Sequence, residues 1–251
     1  MSQPQEKWMP PRGVVVPVVT PSTSDSRLDA DGARRVLQHV VEAGAHPFVL
    51  GTTGEGWSVP LADRHELVRL ALEVAGGRVP VYASISDNCL STSLELADRF
   101  FEWGVAVVVA HVPHYYPLDE VAIHRYFETL AEKLPGPLVL YNIPATTHHW
   151  IPLDVAEALS HHPRIVGLKD SGRDLERLRE ASQRWKNRGD FSLLIGWAAK
   201  SVDGLRWGAQ GLVPSTGNVV PGMFQELYEA VVAGDWEAAE RWQKRTDAIA
   251  S

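Results

Sequence analysis

Cysteine is almost absent from this chain: one residue in 251, Cys89. A single thiol excludes an intramolecular disulfide and any cysteine-based zinc site, and it fits a reducing compartment. Positive charge is also short, with 24 Lys and Arg against 31 Asp and Glu, a formal net charge of −7. Phosphate neutralisation needs clustered Lys and Arg, so this balance argues against a general nucleic-acid binder. No apolar run approaches the roughly 18 residues of a membrane span. The N-terminal stretch MSQPQEKWMPPRG lacks the apolar core of a secretory signal. A soluble, cytoplasmic protein is expected. No G-x-G-x-x-G turn follows the first apolar run, where Thr20, Pro21 and Ser22 stand instead. That absence disfavours a dinucleotide-binding open sheet.

What is present is a rhythm. Hydrophobic residues make up 45% and charged residues 22%, ordinary globular values in a chain long enough for a large core. Eight β-branched or apolar runs recur at 13–21, 47–52, 80–86, 106–113, 137–144, 164–171, 192–198 and 211–218. Most do not alternate apolar with polar residues, the mark of strands buried on both faces. Between them lie helical patterns at 29–43, 62–75, 91–103, 118–134, 153–160, 174–186, 200–207 and 221–233, and one more at 235–250. In the first, Ala33, Val36, Leu37, Val40 and Val41 share one helix face. Thr92 with Glu95 reads as a capping box, and Pro221 as a helix start. Eight strand–helix units in this length predict an α/β fold, a closed (β/α)8 TIM barrel over 13–234. A tail at 1–12 and a short extra C-terminal helix at 235–251 flank it. A doubly wound open sheet is the alternative.

Such barrels place their chemistry at the C-terminal strand ends. Lys169 follows the buried run Ile165–Leu168 and should emerge at the barrel mouth. Desolvation there would lower its pKa and free the amine to attack a carbonyl. The plainer reading is a lysine paired with Asp170 or Glu55. Tyr141 ends the preceding strand, where a phenol can carry protons to and from a carbinolamine; the plainer reading is a packed core tyrosine. Thr52 and Thr53, in the G-T-T-G-E stretch at 51–55, offer hydroxyls and backbone N–H groups for a carboxylate. The doublets His148–His149 and His161–His162 do not suggest a metal, because adjacent side chains rarely converge on one ion. Trp57 and Trp197 are candidates for lining a pocket.

In combination, G-T-T-G-E at 51–55, Y-N-I-P at 141–144 and Lys169 in G-L-K-D-S resemble the Schiff-base, pyruvate-dependent aldolases and lyases. That family includes dihydrodipicolinate synthase, N-acetylneuraminate lyase and 2-keto-3-deoxygluconate aldolase, and the resemblance runs from about Gly13 to the end. It implies a (β/α)8 barrel and an imine between Lys169 and the C2 carbonyl of a 2-keto acid. It also implies Tyr141 as proton carrier, Thr52 as its relay partner and Thr53 as a ligand of the keto-acid carboxylate. Tyr115, with Tyr116 beside it, matches a tyrosine exchanged between subunits of a homodimer or homotetramer. Gly51, Ser171, Gly196, Val213 and Ser215 fall at substrate-pocket positions. No metal or organic cofactor is implied, since the imine itself is the electron sink. The partners are a 2-keto acid and an aldehyde. The alternatives are a dehydratase of a deoxy-keto sugar acid using the same imine, and a catalytically silent keto-acid-binding barrel.

Two departures bear on the aldehyde. Thr146 stands where dihydrodipicolinate synthases carry an arginine for a dicarboxylic partner. Trp197, Ala198 and Ala199 follow Gly196, where sialic acid lyases carry an acidic pair. Arg164 precedes its strand and Arg173 lies beyond Ser171, so sequence position puts neither at the site. The expected aldehyde is therefore neutral or hydroxylated, bound through Thr146, Thr147, Ser171 and Ser215.

Overall fold

The computed structural model describes residues 8–250. Eight strands pair in parallel, in chain order, and β8 closes back on β1. They are β1 (Gly13–Pro17), β2 (His46–Val49), β3 (Tyr82–Ser84), β4 (Val107–Ala110), β5 (Leu138–Asn142), β6 (Ile165–Asp170), β7 (Ser192–Ile195) and β8 (Gly211–Leu212). The closed barrel rules out the open-sheet alternative. Residues 1–7 of the expected tail and Ser251 of the last helix lie outside the described residues.

The outer ring contains α1 (Ala30–Glu42), α2 (Leu61–Ala75), α3 (Leu90–Trp103) and α4 (Glu120–Lys133). A four-residue α5 (Pro144–Thr147), α6 (Leu153–Leu159), α7 (Leu175–Trp185), α8 (Ser201–Trp207), α9 (Pro221–Val232) and α10 (Trp236–Ala250) follow. Aspartates cap four of the starts: Asp29, Asp119, Asp174 and Asp235 accept the backbone N–H of Gly32, Ala122, Arg177 and Ala238, satisfying donors that the helix leaves free. The expected capping box at Thr92 is not formed. Helix α3 begins two residues earlier, with Cys89 as its N-cap and no side-chain cap bond.

Burial divides into two layers. Val15, Phe48, Val109, Val139, Val166 and Leu194 pack inside the barrel. A larger cluster, including Leu37, Phe100, Leu140, Leu168 and Phe224, lies between the strands and the helices. One irregularity positions the site. The β5–β6 register shifts between Leu138 and Val139, so Leu138 pairs with Ile165 but Val139 pairs with Gly167. An extra residue in one strand resets which side chains point inward. Ile165 and Leu168 belong to the outer cluster, while Val166 belongs to the inner one. With the shift, Lys169 stands opposite the inward-facing Tyr141.

Helix α10 is bound to the fold rather than appended to it. Ala239 is fully buried, and Trp236 and Trp242 pack against the core. Gln243 accepts the backbone N–H of Val202 and donates to the carbonyl of Ala198, fastening the segment that follows β7. Ending the chain after Asp235 should lower unfolding stability by about 3 kcal/mol or more, the scale of burying one or two large side chains. Thermal unfolding checks this, and an unchanged midpoint would contradict it.

Candidate active site

Lys169 is 4% exposed at the end of β6. Its Nζ lies 3.8 Å from the centroid of the Tyr141 ring and 4.9 Å from that of Phe48. Burial pushes its pKa below the ordinary lysine value, with Tyr141 opposing in part. The plainer reading, an ion pair with Asp170 or Glu55, does not hold. Asp170 is claimed by Arg177, whose Nε donates to Oδ2 at 2.7 Å. Asn142 Nδ2 donates to the same oxygen and the Gly172 N–H to the other. This buried network joins the ends of β5 and β6 and, among the described residues, leaves the lysine amine without a carboxylate.

The Tyr141 hydroxyl lies 3.3 Å from Thr52 Oγ1, and either oxygen can be the donor. A cavity of about 360 Å³ opens here at the mouth of the barrel. Thr52, Thr53, Tyr141, Lys169, Ser171 and Arg173 line it, as do Gly196, Val213 and Ser215 from the strand-7 and strand-8 ends. The backbone N–H groups of Thr52 and Thr53 have no hydrogen-bond partner within the described residues. Gly196 has a steric reason: a Cβ there would meet Ser171 Oγ at 2.0 Å and the Asp170 carbonyl at 2.9 Å.

Three expected site residues do not line this cavity within the single chain. Gly51 does not line the cavity; its missing side chain makes room for the Phe48 ring, which a Cβ would meet at 2.9 Å. Thr146 lies on α5 and lines an adjoining cavity of about 270 Å³ with Thr52, Trp57, His111 and His114. The Y-N-I-P turn closes into a short helix that carries this hydroxyl away from the lysine. Tyr115 is 74% exposed, outside the cavity and edge-on to Tyr116. Of the two tryptophans, Trp57 lines the adjoining cavity, whereas Trp197 packs against the core. Conversely, Arg173, set aside on sequence position, does line the lysine cavity. Nothing in the spacing revealed this, because it depends on a left-handed turn at Arg173 itself, φ 54°.

His111 is a further residue that the sequence did not single out. It is 6% exposed, and its ring stands 6.3 Å from that of Tyr141. Trp57 Nε1 donates to its Nε2 at 3.1 Å, and its Nδ1 is 2.7 Å from the Val112 carbonyl. One nitrogen must accept and the other must donate, which only the neutral ring can do. Burial, the largest cause, pulls its pKa down to about 4. Among the described residues, no cluster of three or more His, Cys, Asp or Glu side chains could hold a metal ion, and no helix is long and apolar enough to cross a membrane.

A closed barrel with a buried lysine that has no carboxylate partner among the described residues, a tyrosine–threonine pair and free backbone donors at its mouth fits a lyase of the lysine-imine class. The chain belongs to the Dihydrodipicolinate synthetase family, whose profile matches residues 10–251. It is 32% identical over 240 residues to the 4-hydroxy-tetrahydrodipicolinate synthase of Methylococcus capsulatus, covering 95% of this chain and 81% of that protein. The dihydrodipicolinate synthase structure from Bacteroides thetaiotaomicron superposes with a TM-score of 0.90 at 32% identity, covering 96% of this chain and 82% of the other. A prophage protein of the dihydrodipicolinic acid synthase family from E. coli K12, in complex with pyruvate, also gives 0.90, at 26% identity over 95% of this chain and 81% of the other.

A pH prediction follows from His111. Its folded pKa of about 4 lies below its unfolded value, so between the two the unfolded chain binds more protons and stability falls as pH falls. The native protein should lose up to about 3 kcal/mol between pH 6.5 and 4 that a His111→Leu variant does not lose. Denaturant unfolding of both proteins across this range checks it; parallel curves would contradict it.

Proposed function

We infer that this protein makes or breaks a carbon–carbon bond between pyruvate, or a closely related 2-keto acid, and an aldehyde through an imine on Lys169. The observation that carries this is the buried amine with no carboxylate partner, set against Tyr141 and Phe48. A desolvated amine is unprotonated more readily and is a nucleophile toward C2 of the keto acid. Its attack gives a carbinolamine; the Tyr141 hydroxyl supplies a proton to the departing oxygen, and water leaves with formation of the protonated imine. Thr52, within reach of that hydroxyl, hydrogen-bonds the phenolate that results. The Tyr141 phenolate takes a proton from C3, which restores its hydroxyl and gives an enamine; the enamine adds to the aldehyde carbonyl, whose oxygen takes that proton, water then hydrolyses the imine to free Lys169, and the reverse sequence cleaves the product. The N–H groups of Thr52 and Thr53 suit the keto-acid carboxylate.

The pyruvate complex of the E. coli relative and the synthase names of the sequence relatives support this reading. No observation favours the dehydratase alternative. The silent-barrel alternative is opposed by the lysine itself, because a buried amine without a carboxylate partner lowers stability. Tyr115, 74% exposed beside Tyr116, is available to a second copy, which supports a homodimer or homotetramer. The low cysteine content supports a cytoplasmic setting.

Borohydride added with pyruvate should leave one reduced adduct per chain, located on Lys169 by peptide mass. Lys169→Arg should give none, since guanidinium stays protonated. An adduct at another lysine would overturn the mechanism. Tyr141→Phe should keep the fold and lower turnover roughly 10²- to 10⁴-fold; a normal steady-state rate would remove the phenol from the proton path.

A further inference from the structure

The lysine cavity is lined by two cationic side chains, Lys169 and Arg173, and by no carboxylate. The imine accounts for Lys169. Nothing yet accounts for Arg173. Its guanidinium has no ion pair, hydrogen bond or aromatic partner among the described residues. The two aspartates nearest in sequence are already engaged. Asp170 holds Arg177, Asn142 and the Gly172 N–H, and Asp174 caps α7. The backbone of Arg173 is left-handed, with φ 54°, a conformation that glycine adopts freely and other L residues adopt under strain. A loop that only had to turn between Ser171 and α7 would be better served by glycine. Strain kept at the rim of a cavity points to work done by the side chain.

Charge narrows that work. The keto-acid carboxylate has the Thr52 and Thr53 N–H groups, and the protonated imine offsets its charge. One cation, Arg173, is left over for the second substrate. The adjoining cavity, where Thr146 lies, holds no Lys or Arg, and its His111 is neutral. We propose that Arg173 selects the aldehyde by binding an anionic group, carboxylate or phosphate, that the aldehyde carries away from its carbonyl. This replaces the expectation of a neutral aldehyde. It rests on the lyase reading above. Guanidinium presents a planar fork of donors that matches both anions.

The test compares aldehydes with and without the charge at saturating pyruvate: succinic semialdehyde against butanal, and glyceraldehyde 3-phosphate against glyceraldehyde. The unaltered protein should favour the anionic member of at least one pair by about tenfold or more in kcat/KM, and the preferred pair tells carboxylate from phosphate. Arg173→Gly should reduce that preference about 10- to 100-fold, and Arg173→Lys should keep part of it. Calorimetric binding of succinate and of inorganic phosphate to the pyruvate-loaded protein reads the same contact without turnover, and should weaken in parallel. Thermal stability of Arg173→Gly should not fall, since glycine relieves the backbone, whereas a purely structural arginine would lower it. An unaltered preference, or unaltered succinate and phosphate binding, in Arg173→Gly overturns the proposal. So does loss of the Lys169 adduct in that variant, which would assign Arg173 to the keto acid. Absence of the adduct in the unaltered protein would instead overturn the lyase reading.

Discussion

The desolvation of one amine organises this molecule. Lys169 lies under two aromatic rings with no carboxylate to hold its charge. A buried ammonium is unfavourable unless paired, and the structure withholds the pair by giving Asp170 to Arg177. Breaking such a buried ion pair costs about 3–5 kcal/mol, so the arrangement is locked. The same pair ties β6 to α7, and Asn142 extends it to β5 and, through its Oδ1, to the N–H of Ile151. Stability at the barrel mouth thus comes from charges beside the lysine, while the lysine itself is kept reactive.

Two neutral groups lie closest to the amine, His111 through its ring contact with Tyr141, and Tyr141 itself. His111 accepts from Trp57 and donates to Val112, so it adds no second cation beside Lys169. Tyr141 faces Thr52, whose hydroxyl can give or take a proton. The guanidinium of Arg173 is exposed at the rim rather than in the interior. The proposal thus separates recognition of charge from chemistry at the imine by position, the first at the solvent edge and the second in the dry part of the barrel.

The strand–helix alternation was legible because buried parallel strands read as unbroken apolar runs and the outer helices carry one apolar stripe. The same property hid the inward parity of β6. A run buried on both faces does not show which side chains point inside, and the register shift beside Val139 has no residue signature. Lys169, Tyr141 and Thr52 were legible as polar breaks at strand ends. The fate of Thr146 was not, since it depends on whether Pro144–Thr147 winds into a helix. Arg173 was hidden for a similar reason: a non-glycine residue in left-handed geometry is not announced by its neighbours. His111 looked like one more residue of an apolar run until the fold set it against Trp57 and Tyr141.

The most direct test of the central claim is the ionisation of Lys169 itself. Cyanoborohydride trapping of pyruvate, quantified at the Lys169 peptide across pH, reports the fraction of unprotonated amine. A midpoint well below the ordinary lysine value of about 10.4, with surface lysines labelled only at higher pH, is the result this account predicts. A Lys169 midpoint indistinguishable from that of the surface lysines would contradict it.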